Sequence, residues 1–529
     1  MSNKTEKSGK AKTKKHMKVS KKNKIIATIV VVLLVLVCFC YFAHQTGLPA
    51  KILPGAKVVQ TVDGKEKKIK NISIVEMNYY YYTTLSQYTG AGIVKHEDDL
   101  DKVYNTNNGQ TYREMIWESA ANAAQEQILV EKAADADESF KSTAAKDYAE
   151  VQVQSMRNSV KQYNEFYGSN MTADQYLQRS YGKGMTVQIY RKIMRRAAVV
   201  DEYIQYVKQF KSVPTDDQVM AKYNEDPNSY KTVKMQLYFV AADSNKDSTE
   251  EEKKAAMQAA EEKAHKIADN CTNYLDFQIR VRSVCDEKYL KRMNDGEDPT
   301  SLDGLTKADI ESYNKDFAEL CFNPDTKPNT SMVFQDSEGV GYFAALFEEA
   351  YLDEEQVASF RVIELSDELL KDITKAPADK APSFEKLEAE LKGYQDSVTS
   401  EDQFIELAKE HTIDTPSLLK GGYYSGVAAS NEDMFPRTAI NDESEPVLAK
   451  EDQELIDWLF SADRKKGDMI IIRCASSVKL YYYCDSVQAW KNRIRNTMTN
   501  ENYDAWYKES AANESYSTII NHGLIDFFT

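Results

Sequence analysis

The chain has 529 residues and a formal net charge of −16, and its length suggests several domains. Hydrophobic residues make up 42% of it, while glycine (20) and proline (12) are scarce, which excludes a fibrous or largely disordered protein. Ten of the first 24 residues are lysine, so the remainder is strongly acidic and repels phosphate backbones. We therefore expect no nucleic-acid partner.

An apolar segment follows the basic tail. Ile25 to Phe42 is an uncharged run of 18 residues, and a helix of that length spans roughly 27 Å, which is close to the thickness of a hydrocarbon core. Bulky residues near its end argue against cleavage as a signal peptide. Because lysine-rich tails stay in the cytoplasm, we predict a cytoplasmic tail at 1–24, a single-pass anchor in the cell membrane at 25–42, and an ectodomain outside the cytoplasm.

The next segments are a predicted stalk at 43–72 and a predicted helical module at 73–229. Apolar residues at helical spacing predict the long helices of this module. The pairs Thr172–Gln175 and Thr215–Gln218 have the spacing of a capping box, which predicts two shorter helices. The predicted helices are 110–135, 142–165, 172–182, 186–212 and 216–225.

The periodicity changes at Tyr230, where strand-forming residues begin. A strand near 233–240, a charged helix at 251–269 and a closing strand at 339–346 outline a domain at 230–352. A similar pattern recurs at 353–485, which indicates an internal duplication. This second domain is predicted to contain a strand at 359–365, helices at 383–397, 402–411 and 452–460, and a hairpin at 469–473 and 480–483.

Residues 486–529 form the last predicted segment, with a helix as far as 519. Trp490, Tyr503 and Trp506 give that helix an apolar face. Since it has no helical neighbour of its own, we expect it to pack back on the helical module. The prediction for the whole chain is an α+β protein.

The cysteines and histidines indicate neither a metal nor a cofactor. The six histidines are scattered and no C-x-x-C motif occurs, so the spacing of a metal site is missing. In the predicted hairpin, which turns at Ser476–Ser477, Cys474 faces Lys479 and Cys484 faces Met469. Those two thiols are poorly placed for a disulfide.

Three stretches resemble the SurA/PrsA group, in which a helical chaperone module carries parvulin-type (PpiC) peptidyl-prolyl isomerase domains. The first stretch, 213–240, has a Pro-Thr-acidic helix and a tyrosine before a strand. The second, 404–414, is a phenylalanine-led helix and a turn, and the double glycine Gly421–Gly422 follows it. The third, 459–483, has Leu-Phe, then Gly-Asp, and then two strands. The resemblance implies an anchor helix, a SurA-N-like helical module, two tandem degenerate parvulin-like domains and a C-terminal helix.

The resemblance also implies an activity, which is rotation about X-Pro bonds, a step that costs roughly 18–20 kcal/mol unaided. Such enzymes place a Cys or Asp beside two His above an apolar pocket. In the second domain, Asp414 falls at the acidic position, and Leu455 and Phe460 fall near the pocket wall. The two histidine positions are occupied by Arg361 and Leu480.

The first domain departs further from the pattern. Its acidic position is Glu287, and its histidine positions read Leu237 and Phe343. Because both domains lack the imidazole pair, we expect weak or absent isomerase activity. The implied pocket of the first domain is aromatic and consists of Tyr313, Phe317 and Phe322.

Tyrosine clusters at 79–82, 423–424 and 481–483 have large apolar bodies and polar tips, which suit peptide binding. We include Tyr423 and Tyr424 among the binding residues, although alternate residues of a strand must face the core. The predicted function is a membrane-anchored extracytoplasmic folding factor that binds unfolded or secreted polypeptides. Two alternatives are an active parvulin-type isomerase that uses Asp414, and a bitopic cell-envelope scaffold that docks one fixed partner.

Overall fold

The computed structural model describes residues 47–244, 248–366, 384–440, 446–510 and 515–528. Their fold is α+β, with several small antiparallel sheets. The predicted tail and the predicted anchor at 25–42 lie outside the described residues. Within the described ranges, no helix has the length and apolar character needed to span a membrane.

The described chain divides into two compact units. The first contains residues 47–136, 149–197 and 515–528, and the second contains 137–148 and the described part of 198–510. The helices are α1 (Leu48–Ile52), α2 (Ile74–Gly90), α3 (Tyr112–Ala136), α4 (Ala145–Tyr167), α5 (Ala173–Tyr181), α6 (Val187–Tyr206), α7 (Asp216–Glu225), α8 (Glu250–Ala268), α9 (Tyr274–Arg282), α10 (Glu287–Asn294), α11 (Lys307–Tyr313), α12 (Lys315–Phe322), α13 (Phe384–Ser397), α14 (Glu401–His411), α15 (Thr415–Leu418), α16 (Lys450–Leu459), α17 (Ala489–Ser510) and α18 (His522–Phe528). The strands are β1 (Pro54–Val62), β2 (Lys65–Ser73), β3 (Val103–Asn105), β4 (Gln110–Thr111), β5 (Thr232–Ala241), β6 (Ser301–Leu305), β7 (Thr330–Gln335), β8 (Gly341–Tyr351), β9 (Gln356–Leu365), β10 (Tyr423–Ala428), β11 (Ala439–Ile440), β12 (Pro446–Val447), β13 (Met469–Arg473), β14 (Val478–Gln488) and β15 (Tyr516–Ile520).

A three-stranded sheet in the first unit differs from the predicted stalk and from the predicted all-helical module. Its strand order is β15-β1-β2. The lysine-rich β2 has the composition of a linker, but Val58 and Val59 of β1 are buried, so the hairpin has an apolar side that packs on α2. The C-terminal residues that were predicted as the end of a helix form β15 instead, because they complete the exposed edge of β1.

The tyrosine cluster at 79–82 lies on α2, which begins with the capping box Ser73–Glu76. The ring of Tyr81 stacks on Trp117 with 4.2 Å between centroids. The hydroxyl of Tyr80 donates to Gln127 Oε1 at 2.9 Å. Both tyrosines are buried, so they stabilise the contact between α2 and α3 and do not offer a binding surface.

Two four-stranded antiparallel sheets in the second unit have the same topology. The first has the order β6-β5-β8-β7 and the second has the order β10-β9-β14-β13. In each sheet the two central strands are the ones that come first and last along the chain, β5 and β8 in one sheet and β9 and β14 in the other. The other two strands of each sheet lie at its edges. Two successive segments therefore repeat one arrangement, as an internal duplication predicts.

The final hairpin has a register different from the predicted one. Arg473 pairs with Val478 and Met469 pairs with Tyr482, so Val478 is in the strand and not in the turn. Val478 is fully buried, and the apolar surface that it removes from water explains the shift. The N–H of Cys474 donates to the carbonyl of Ser477 at 2.9 Å and closes the turn. The cysteines of the described residues are all free thiols.

Helix α17 packs against residues of the predicted helical module, as expected from its apolar face. The ring of Trp490 contacts Tyr223 of α7 with 4.5 Å between centroids. Further along the helix, Asn502 Nδ2 donates to the carbonyl of Ser212 at 2.8 Å. These contacts join α17 to the segment that precedes β5.

Candidate polypeptide-binding site

The two faces of the second sheet are covered by different residues. A site of the parvulin type would lie on the face that carries Leu455 and Phe460. Leu455 and Phe460 pack with Phe360 and Tyr481 on one face. Successive residues of a strand point to opposite faces, and Leu480 accordingly lies in the hydrophobic cluster of the other face. Arg361 also points to that other face, because its guanidinium reaches Glu401 of α14.

Arg361 and Leu480, the residues assigned to the histidine positions, therefore lie on the face opposite that of Leu455 and Phe460. The positions on the face of Leu455 are those of Phe360 and Tyr481, whose ring centroids lie 5.7 Å apart. Neither pair contains a histidine.

Asp414 lies at the N-terminus of the short helix α15. Its carboxylate accepts hydrogen bonds from the hydroxyl of Ser417 and from the hydroxyl of Tyr424, the latter at 2.8 Å. His411, the one histidine among the described residues of the second sheet domain, does not join this group in the structure. Its ring stacks on Tyr394 with 4.9 Å between centroids.

The pair formed by Asp414 and Tyr424 is suited to binding more than to proton transfer. Burial raises the pKa of Tyr424 well above its usual value, and the neighbouring carboxylate of Asp414 raises it further. The phenol therefore stays protonated and gives its hydrogen to Asp414. General acid–base catalysis is most efficient when the pKa of the group is near the working pH, and Tyr424 does not meet that condition.

The predicted pocket wall of the second domain is mostly core. Leu455 is buried, and Phe460 and Tyr424 are partly buried around the same cluster. The ring of Tyr424 stacks on Phe360 with 5.5 Å between centroids. The structure thus brings Asp414, Tyr424, Leu455 and Phe460 to one face, whereas Tyr423, the next residue along β10 from Tyr424, lies against the other face.

The double glycine that precedes β10 has positive φ angles. Gly421 has φ 63° and Gly422 has φ 78°, values that favour glycine over every other residue. A Cβ atom on Gly422 would collide with the carbonyl oxygen of Val362, while the carbonyl of Gly422 accepts from the N–H of Val362 at 2.9 Å. The close approach of the two backbones holds β10 to the centre of the sheet.

Gly422→Ala is expected to lower the free energy of unfolding by at least about 1–3 kcal/mol, because a left-handed backbone at a non-glycine residue is strained. Urea unfolding of the full chain measures it. Gly393→Ala is the matched control, since Gly393 is in α13 with open space at its Cβ position. That change is expected to stabilise by roughly 0.5–1 kcal/mol. Equal effects of the two substitutions would contradict the requirement for glycine at 422.

The first sheet has a partly exposed aromatic face. Phe239 is 37% exposed and Tyr313 is 36% exposed. Both contact Phe343, whose ring centroid lies 4.9 Å from that of Phe239 and 5.8 Å from that of Tyr313. We call these three residues the aromatic surface.

The other two predicted pocket residues of the first domain lie beneath this surface. Phe317 and Phe322 are buried in the core between the sheet and α12. Phe317 contacts Phe334, and Phe334 in turn contacts Phe343. Only Tyr313 of the three predicted residues is therefore available to a ligand.

Phe239 is the residue of this surface that the sequence analysis missed. A usable signal was present, because Phe239 is two residues after Leu237 and alternation along β5 sends both to the same face. Rings that are partly exposed and supported by buried rings bind apolar segments with little loss of side-chain entropy.

Among the described residues, no group of three or more His, Cys, Asp or Glu side chains is arranged to hold a metal ion. Comparison with models of known protein families finds no match, and comparison with curated proteins finds no similar sequence.

Proposed function

We propose that this chain is a membrane-anchored extracytoplasmic chaperone of the SurA/PrsA type that binds unfolded polypeptides and has weak or absent isomerase activity. In this proposal residues 25–42 are the anchor, and the two sheet domains are degenerate parvulin-like domains. The observation that carries it is the repeated strand order of the two sheets. The positions where an isomerase of this kind has histidines are also without imidazole, since the first sheet has Leu237 and Phe343 there.

The aromatic surface of the first domain supports binding as the function. Contiguous exposed apolar patches, unlike singly scattered apolar residues, mark interaction sites. Phe239, Tyr313 and Phe343 offer such a patch, and extended apolar segments of an unfolded polypeptide fit it without any covalent chemistry.

The proposal is tested by diluting a denatured enzyme into buffer with the full chain and following aggregation by light scattering. The full chain is expected to suppress aggregation at stoichiometric excess. The double variant Phe239→Ala/Tyr313→Ala is expected to need several times more protein for the same suppression, because the two exposed rings of the aromatic surface are removed. No suppression by the unaltered chain would refute the proposal.

The matched control is Tyr274→Ala/Leu275→Ala. Both residues are exposed on α9, whose buried residues Phe277 and Val281 pack on the opposite face of the same sheet. This control is expected to leave suppression unchanged.

A proline-limited refolding assay on the same samples separates binding from isomerisation. We expect the refolding rate to equal the uncatalysed rate and Asp414→Ala to have no effect on it. An accelerated rate that Asp414→Ala abolishes would favour the isomerase alternative.

A further inference from the structure

A cavity of about 870 Å³ lies beside the second sheet. Ligand clefts in proteins typically have volumes of roughly 300–1,000 Å³. Its walls come from the end of α6 and the residues after it, the N-terminus of α14, strands β10 and β14, and helix α17. Of the residues described for the candidate site, Arg361, Tyr423 and Tyr424 take part in it.

The lining of this cavity is basic, although the chain as a whole carries a formal charge of −16. Two acidic residues line it, Glu401 and Asp485. The basic residues of the lining are Lys208, Arg361, Lys420, Lys466 and Arg495.

Arg361 forms a rigid part of the wall. Its side chain is 2% exposed and its Nε donates to Glu401 Oε1 at 2.9 Å. Its Nη1 donates to the carbonyls of Lys420 and Gly421, each at 3.0 Å. The guanidinium also lies over the ring of Tyr423, 4.8 Å from the centroid. These contacts fix one cation and one aromatic ring at the cavity.

The two acidic residues are already paired. Glu401 accepts from Lys466 Nζ at 2.7 Å as well as from Arg361. Burial alone raises the pKa of Glu401, but Lys466 and Arg361 outweigh burial and hold that pKa below its ordinary value. Asp485 accepts from Arg495 at 2.7 Å. Neither carboxylate is therefore available to neutralise the remaining cations.

Lys208 and Lys420 are the remaining cations of the lining. Lys208 Nζ donates to the amide oxygen of Asn500 at 3.0 Å and lies 4.8 Å from the ring centroid of Tyr503. In the described part of the chain, neither lysine has a carboxylate within ion-pair distance. Lys208 places an ammonium group without an anionic partner at the cavity, and Lys420, an exposed residue of the same lining, adds a second positive charge. Such groups offer binding positions for carboxylates.

We propose that this cavity binds acidic segments of client polypeptides. Lys208 and Lys420 pair with the Asp or Glu side chains of the segment, and the exposed ring of Phe210 in the lining contacts its apolar residues. The rest of this acidic protein repels such a segment, so the electrostatic attraction is concentrated at the cavity. This inference rests on the proposed function and specifies which polypeptide segments this second site selects.

The test uses the purified full chain and two 12-residue peptides that carry a neutral dye. One peptide repeats Glu, Leu and Tyr, and the other has Gln in place of every Glu. Fluorescence anisotropy is expected to show roughly tenfold tighter binding of the Glu peptide, which corresponds to about 1.4 kcal/mol. Raising the salt from 50 to 300 mM is expected to weaken the Glu peptide selectively, because exposed charges are screened.

Lys208→Ala/Lys420→Ala is expected to remove the preference for the Glu peptide. The matched control Lys254→Ala/Lys263→Ala makes the same change of charge on exposed residues of α8 and is expected to preserve it. Equal binding of the two peptides, or an unchanged preference in the cavity variant, overturns the inference. If the full chain still suppresses aggregation in that case, the proposed function survives and only the acidic preference fails.

Discussion

Glu202→Ala is expected to lower the free energy of unfolding of the second unit by about 3–5 kcal/mol, the usual effect of breaking a buried ion pair. Glu202 is 1% exposed and pairs with Lys409 Nζ at 3.1 Å. It also accepts from the hydroxyl of Ser142 at 2.6 Å and from the N–H of Thr143 at 3.2 Å. Removal of the carboxylate leaves a buried ammonium and two donors without their acceptor.

Urea unfolding followed by tryptophan fluorescence measures this loss. Glu406→Ala is the matched control, because Glu406 is 3.9 Å from the same ammonium but its side chain is 60% exposed. Exposed ion pairs contribute about 0–1 kcal/mol, so the control is expected to change little. The double variant Glu202→Met/Lys409→Met is expected to recover part of the stability, since neither charge is then left alone. Similar losses for Glu202→Ala and Glu406→Ala would contradict this account.

Phe317→Ala is expected to destabilise the first sheet domain by about 3–5 kcal/mol, whereas Tyr313→Ala is expected to change its stability by less than about 1 kcal/mol. The ring of Phe317 is 0% exposed and packs in the core, and truncation of a buried ring leaves a cavity. The ring of Tyr313 is at the surface, where water replaces it.

Client binding is expected to depend more on Tyr313 than on Phe317, which is the opposite of their effects on stability. Tyr313→Ala removes a ring from the aromatic surface without unfolding the domain, so aggregation suppression falls while the urea midpoint stays the same. Phe317→Leu, which keeps most of the buried volume, is expected to retain both stability and suppression to a large extent. A loss of suppression with Phe317→Leu but not with Tyr313→Ala would show that the surface is assigned to the wrong ring.

Local structure was the part of the fold that the sequence predicted well. The capping boxes of α5 and α7 are present at Thr172 and Thr215, because a cap depends on side chains three residues apart. The helices at 216–225, 384–397 and 401–411 were located within one residue. Their apolar spacing and end signals are contained in the segments themselves.

Features that depend on long-range pairing were not predictable in the same way. β1 and β2 resemble a linker in composition, and only their pairing with β15 and packing on α2 give them an apolar side. The sequence did not show which face of β9 each residue occupies, and Arg361 and Phe360 lie on opposite faces of the sheet. A shift of one residue exchanges the two faces of a strand, so the position of each side chain depends on the register of the whole sheet.

In the three-stranded sheet β15-β1-β2, the edge strand β15 comes from the opposite end of the described chain to β1. Residues 516–520 pair with β1 at residues 56–60, so the sheet cannot be completed until the whole segment between β1 and β15 has been synthesised. At roughly 5–20 residues per second, translation of the intervening chain takes on the order of half a minute or longer. During that interval β1 has an unsatisfied backbone edge, which is a template for association with other strands. A nascent chain of this protein is therefore itself at risk of aggregation until its last strand arrives.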